Sequence, residues 1–421
     1  MVFIIFVRLN GVLTMNIQEL RNMFPALSRT VYGKPLVYFD NAATAQRPQT
    51  VIDKWTGLAI GANANIHRAV HKLAVDATDE YETTRDAVKE YLNAASREEI
   101  VFTSGTTESI NLVAFSFGET FVNEGDEIIV SESEHHSNIV PWQMLCQRKG
   151  AVLRVLHVDE DGHLNLEELK SLLNPKTRIV AVTQISNVLG ILNPVKEIVS
   201  ICHSVCCPVL IDGAQGMVHE GVDVQDVDCD FYAFSGHKLY AATGTGVLYG
   251  KRKWLDQMVP YQGGGEMIAT VRFSGTTYAP LPEKFEAGTQ NINAIPTLEP
   301  AIEMLKLMKD RELLNAQEAV SQYLLHALTS NPRIRLYGVP RGTETKIPLF
   351  SFSVEGAHHE DLALILDKMG IAVRSGQMCA EPLMDRFGVT GMLRASLATY
   401  NTMEEAEYFI KSLDKAIAML V

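Results

Sequence analysis

DFYAFSGHKLYAATGTGVLYG, residues 230–250, is the stretch on which the fold turns. An apolar run ends at Phe234. The polar turn Ser235-Gly236-His237-Lys238 follows, and a second apolar run, GVLYG, closes the stretch. Both runs are short and bounded by polar or glycine residues, which is the pattern of buried strands. A lysine held at such a strand end loses solvation and drops its pKa, as an amine nucleophile needs. A solvated loop lysine is the commoner fate of this residue type, so the stretch by itself leaves both readings of Lys238 open.

Outward from this stretch the same texture recurs. EEIVFTS (98–104), DEIIVSES (126–133), VLRVLHV (152–158), RIVAVTQIS (178–186) and CPVLIDGA (207–214) read as further buried strands. Helical patterns separate several of them, among them residues 106–125 and 193–205. Strands alternating with helices predict an α/β domain with a mainly parallel sheet. In such sheets the ligand site lies at the carboxyl ends of the strands. After about residue 296 the texture changes. Residues 297–330 read as one long amphipathic helix. PLFSFSV, a helix over HEDLALILDKMG and IAVRSG follow, as in a smaller C-terminal α+β domain. The expected division is a large domain over 31–296 and a small one over 15–30 plus 297–421.

Composition narrows the function classes. The chain has 421 residues, 47% hydrophobic and 21% charged, and carries a net charge of −13. A single core is improbable at that length, which agrees with two domains. No basic block stands out, which argues against a nucleic-acid partner. Six cysteines, irregularly spaced, do not make a secreted disulfide framework, and the expected compartment is a reducing cytoplasm. The opening MVFIIFVRLNGVLT is too short to span a bilayer and lacks the marks of a signal peptide. Residues 1–14 therefore read as a start-site extension before Met15. No other segment reads as a membrane span.

Three strand ends carry matching chemistry. In FTSGTTESINLV (102–113) a strand runs through Gly105-Thr106-Thr107 into a helix start, where backbone amides and threonine hydroxyls suit a phosphate. An ordinary N-cap fits that stretch equally well. In PVLIDGAQG (208–216) an apolar strand ends at Asp212, placed either to meet a cationic group or simply to make an Asp-Gly turn. Lys238 is the third. Together, a phosphate cradle, a carboxylate and an amine at carboxyl ends are the three handles of pyridoxal phosphate: one for the phosphate, one for the ring nitrogen, one for the Schiff base. His135, in ESEHHSNIVPW (132–142), follows another strand and is positioned to stack on a ring. No metal site is expected. Cys202 and Cys206 in CHSVCC read as core residues, and His67 and His71 in HRAVH lack the glutamate of a zinc-protease motif.

At this point the sequence resembles a known family. YFDNAATAQRP, NIHRAVHKLA, SGTTESINLVA, EHHSNIVPW, QISNVLG, IDGAQG, AFSGHKLY, GGGEMI, FEAGTQN, AVRSGQMCAEP and LRASLATYNT are jointly similar to the group II cysteine desulfurases, the SufS/CsdA type. These belong to the class V aminotransferase branch of the fold-type I pyridoxal phosphate enzymes. The resemblance runs from Met15 to Val421. It implies that Lys238 is the Schiff-base lysine, that Asp212 pairs with the pyridine nitrogen and Gln215 with the ring hydroxyl oxygen, and that His135 stacks. It implies that Thr106, Thr107, Ser235 and His237 bind the phosphate, with Thr289 reaching the phosphate of a neighbouring subunit, hence a homodimer. Asn187 and Arg394 would hold the substrate carboxylate, and Arg374 and His67 would line the substrate pocket. Cys379 would take sulfur from L-cysteine as a persulfide, release alanine, and hand the sulfur to an acceptor protein of SufE or SufU type for iron–sulfur cluster assembly. A selenocysteine lyase would use the same site.

The chain departs from the family twice. Met378 stands before Cys379 where histidine is common, and Ala241-Ala242 replace a common Gly-Pro pair. Two rival readings follow from the same residues. Another class V enzyme, such as a kynureninase or small-molecule aminotransferase, would keep Lys238 and Asp212 without needing Cys379. A cysteine hydrolase would use Cys379 with a histidine and leave the cofactor handles unexplained.

Overall fold

The seven apolar runs assemble into one sheet in a computed structural model that describes residues 15–340 and 346–421. The extension expected at residues 1–14 lies outside the described residues. The long helix α1 (Lys72–Leu92) precedes β1 (Ile100–Thr103), which feeds α2 (Thr106–Phe121). The other strands are β2 (Glu127–Ser131), β3 (Val152–Leu156), β4 (Thr177–Thr183), β5 (Val209–Asp212), β6 (Phe231–Ser235) and β7 (Gly246–Gly250). Their order across the sheet is β1-β7-β6-β5-β4-β2-β3. Pairings from β6 to β3 are parallel, whereas β7 runs antiparallel to both β1 and β6. The sheet is mainly parallel, as the alternation implied, with one reversed strand.

Burial on both faces explains the unbroken apolar runs. Along β4 to β7, Val180, Val182, Ile211, Phe234 and Val247 enter one core, while the intervening Ile179, Ala181, Leu210, Ala233 and Leu248 enter another on the opposite face. Side chains alternate between faces, so a strand covered on both needs apolar residues at every position.

The 297–330 region differs from the single helix expected. It forms α3 (Leu298–Met308) and α4 (Arg311–Ser330). Asp310 ends the continuity by capping α4, accepting a 2.9 Å bond from the Glu312 amide, a geometry incompatible with an unbroken helix. α3 places Leu298, Ala301 and Leu305 in the core of the large sheet. Beyond α4, strands β8 (Ile334–Tyr337), β9 (Leu349–Val354), β10 (Arg374–Gly376) and β11 (Met392–Ser396) make an antiparallel sheet in the order β8-β9-β11-β10. Helices α5 (His359–Lys368) and α7 (Met403–Leu420) cover it, and the short α6 (Glu381–Phe387) follows the cysteine loop. Phe350, Phe352, Leu393 and Phe409 share its core.

Residues 15–30 touch both parts of the molecule. Phe24 packs on Tyr240 and Tyr400, and Arg21 pairs with Glu405 of α7 at 2.6 Å. Among the described residues no helix is long and apolar enough to cross a membrane.

Candidate active site

Strand ends converge where the reversed strand β7 meets its neighbours. Gly246 lies opposite Ser235 on β6 and opposite Thr103 on β1. A Cβ at Gly246 would sit 2.3 Å from the Gly105 Cα. Only glycine lets the backbone before α2 come this close to the sheet. The approach brings the start of α2 to Ser235, whose hydroxyl oxygen accepts the Thr106 amide at 2.8 Å and lies 2.7 Å from its hydroxyl. As at any helix start, the next amides have no partner within the helix, and the positive end of its dipole points the same way.

A cavity of about 160 Å³ opens there. Thr106, Thr107, His135, Asn187, Asp212, Gln215, Ser235, His237, Lys238 and Arg374 all line it. These ten expected site residues come from positions scattered between 106 and 374 of the chain. The other four expected residues lie outside its lining. Cys379 is next to it, with its Sγ 3.4 Å from Nη2 of Arg374. Arg394, fully buried, donates from Nη1 to the Asn187 carbonyl at 2.8 Å and from Nη2 to Asp40 Oδ1 at 3.1 Å. Its Nε finds no partner among the described residues. His67 turns instead to Glu82, 3.0 Å from its Nε2. Thr289 is exposed on the surface of the chain.

Electrostatics divide the titratable groups. Burial brings the Lys238 amine down to about 8, against the opposing pull of Asp212, with Arg394 and Arg374 adding to the decrease. Burial raises the Asp212 carboxyl, which accepts the Ala214 amide at 2.9 Å through Oδ1. Burial, assisted by Lys238, takes the His135 imidazole down to about 3. Its Nδ1 accepts the Ser137 amide at 3.1 Å, so the neutral ring keeps its proton on Nε2. His237 falls to about 4 for the same reason of burial. The buried Glu134 carboxyl, pushed up to about 8 by burial, is hydrogen-bonded to Ser131, Asn138 and the Thr183 amide and so fixes the backbone that presents the His135 ring.

This donor set fits pyridoxal phosphate. A helix start with hydroxyls suits the phosphate. The second oxygen of Asp212 is left for a protonated ring nitrogen, and an amine of lowered basicity stands in the same cavity to take an aldehyde. Gln215 is already tied through Nε2 to the Ala42 carbonyl at 2.7 Å, which fixes its side chain at the cavity wall.

Two residues of the site carried no assigned role in the sequence. Asp40 lies within YFDNAATAQRP, but only the fold shows that it pairs with Arg394. His136 lies within EHHSNIVPW beside His135, and its contacts reach the cysteine loop 245 residues further on. Of the two cysteines read as core residues, Cys202 is buried in the main core, where burial pushes its thiol up to about 12, whereas Cys206 is exposed, in a left-handed turn after the helix, and Cys207 takes the second core place.

Comparison with known proteins gives a consistent picture. The family described as aminotransferase class-V matches residues 37–409. A cysteine desulfurase of Pectobacterium carotovorum is 46% identical over 405 residues, covering 96% of this chain and 98% of that protein. A cysteine desulfurase of Shigella flexneri is 46% identical over 409 residues, covering 97% of this chain and all of that protein. Among solved structures, the Escherichia coli cysteine desulfurase CsdA, in an S-sulfonic acid form, superimposes with a TM-score of 0.88 at 39% identity, covering 97% of this chain and 100% of that one. The apo cysteine desulfurase of Thermococcus onnurineus gives 0.90 at 34% identity, with the same coverage.

Proposed function

This chain belongs to the class-V aminotransferase family, and from that premise we propose that it is a pyridoxal-phosphate-dependent cysteine desulfurase, converting L-cysteine to L-alanine with the sulfur received by Cys379. The observation that carries this reading is the placement of Cys379 against Arg374, which lines the cavity that holds Lys238 and Asp212. A plain aminotransferase or kynureninase has no use for a thiol there.

Pyridoxal phosphate, when bound, supplies a sink for the electrons released as the substrate Cα–H bond breaks. The protein's own groups do the rest. Thr106, Thr107, Ser235 and His237 would hold the phosphate at the start of α2, Asp212 the ring nitrogen and Gln215 the ring hydroxyl oxygen. His135, neutral and fixed by Ser137, would face the ring. Lys238 would anchor the cofactor, and its amine stands in the same cavity to move the substrate Cα proton. Its depressed basicity keeps a fraction of the amine neutral at neutral pH.

Arg394 is buried, with Nε unpaired, and receives the substrate carboxylate together with Asn187. Cys379 acts as thiolate. Its Sγ bonds to the substrate sulfur as the substrate Cβ–S bond breaks. The electron pair of that bond stays with Cβ, which takes up a proton, and the three-carbon product leaves as L-alanine. Cys379 then carries a persulfide.

Thr289, exposed outside this cavity, is read as part of a homodimer in which it reaches the partner's phosphate site. An acceptor of SufE or SufU type, working in the cytoplasm, takes the persulfide sulfur toward iron–sulfur clusters. The test is production of alanine and sulfide from L-cysteine by the holoenzyme, with L-selenocysteine alongside. Equimolar alanine and sulfide support the reading. Turnover of selenocysteine alone makes the protein a lyase of that amino acid, and transamination without sulfide makes it an aminotransferase.

A further inference from the structure

The loop Gln377–Ala380 holds Cys379 in a conformation its residues do not favour. Met378 and Cys379 have φ of +55° and +56°. A non-glycine residue in that left-handed region is strained, its Cβ crowding the following carbonyl oxygen. Two in succession persist only where the surroundings impose them. Three contacts do so. Asn187 Nδ2 donates to the Met378 carbonyl at 2.8 Å. The His136 amide donates to the Cys379 carbonyl at 2.7 Å. The Glu381 amide, at the first position of α6, donates to Nε2 of His136 at 2.9 Å. Met378 itself is 2% exposed and packs among Val188, Leu189 and Met392. The side chain found where the family commonly has histidine is therefore an apolar plug for this loop.

His136 thus grips the loop at both ends of the Cys379–Glu381 segment, through its main chain on one side and its ring on the other. Its ring does not line the cofactor cavity. We propose that His136 is a positioning residue for the nucleophile: by accepting the Glu381 amide at Nε2 it holds the left-handed turn that sets Cys379 against Arg374. This rests on the desulfurase reading given above. Lacking that acceptor, the loop relaxes to ordinary backbone angles and Sγ swings away from Arg374, while cofactor and substrate binding remain.

The geometry makes the choice of acceptor atom decisive. In His136→Gln, Oε1 falls near the place of Nε2. In His136→Asn, the acceptor falls near the place of Nδ1, too short to reach the Glu381 amide. For each holoenzyme, kcat and KM for L-cysteine are measured, with the visible band of the bound cofactor and the rate of Cys379 alkylation by iodoacetamide. The expected result is a kcat reduced at least tenfold in His136→Asn and His136→Ala, KM within about twofold, an unaltered band, and slower alkylation; His136→Gln recovers at least a third of kcat. If His136→Ala fails to load the cofactor, the Gln and Asn variants decide the matter. Equal performance of His136→Asn and His136→Gln overturns the proposal, as does a wild-type kcat in His136→Ala. Loss of sulfide release in Cys379→Ala, measured in parallel, keeps the desulfurase reading standing whichever way His136 behaves. Sulfide release that survives Cys379→Ala removes that reading and the His136 proposal together.

Discussion

Nη2 of Arg374 lies 3.4 Å from Sγ of Cys379, and the same guanidinium lines the cofactor cavity. One cation therefore faces both the thiol and the space where the substrate sits. The contact is a hydrogen bond from the guanidinium to the sulfur, and it fixes the direction in which the thiol points. Arg374→Ala should slow iodoacetamide labelling of Cys379 at neutral pH by about fivefold, with Arg374→Lys between the two, since lysine keeps charge but loses the planar fork. Labelling is read by mass spectrometry of the peptide containing Cys379. An unchanged rate in Arg374→Ala would separate the arginine from the thiol.

The Lys238 amine, brought down to about 8 by burial, sets a pH dependence for cofactor uptake. A depressed lysine is mostly cationic below that value and mostly neutral above it, and only the neutral amine attacks an aldehyde. Loading of the apo-protein with pyridoxal phosphate, followed by absorbance, should accelerate as pH rises through about 8 and then level off. A rate still climbing toward the ordinary lysine range would show that the amine is solvated.

Arg85 and Glu286 form a buried bidentate pair, with Nη1–Oε1 at 2.7 Å and Nη2–Oε2 at 2.9 Å. Glu286 also accepts the Phe102 amide at 2.7 Å. The pair ties α1 to the segment that carries Thr289 and to the strand feeding the phosphate cradle. Removing Arg85 leaves the buried Glu286 carboxylate without its cation, at a cost of about 3–5 kcal/mol, whereas Arg85 keeps Glu82 when Glu286 is removed. Glu286→Leu and Arg85→Met should each lower the melting temperature clearly, and the double variant Arg85→Met/Glu286→Leu should recover part of the loss. Simple additivity of the two single changes in denaturant titrations would mean that the residues do not act as a pair.

Much of this was legible in the sequence, for physical reasons. The sheet strands are covered on both faces, so each run is apolar throughout, and all seven were expected. Strand direction leaves no trace in such runs, which is why the reversal of β7 came only with the structure. The break at Lys309–Asp310 was hidden because the apolar spacing continues across it, while a capping aspartate resembles any surface carboxylate. Lys238, Asp212 and Thr107 were visible because each stands at the end of a recognisable strand or the start of a helix. Asp40 and His136 were not, because their partners are far along the chain: Arg394 for the first, the Glu381 amide for the second. Sequence patterns report local periodicity, and contacts of that range leave none.

The central claim is that Cys379 receives the sulfur while Lys238 carries the cofactor. Its most direct measurement is sulfide and persulfide formation from L-cysteine by Cys379→Ala, with the visible band of the bound cofactor recorded on the same sample. The predicted result is an unchanged band, no persulfide on the protein, and sulfide release reduced by at least two orders of magnitude, as when a nucleophile is removed. Sulfide released at the wild-type rate by Cys379→Ala would contradict it.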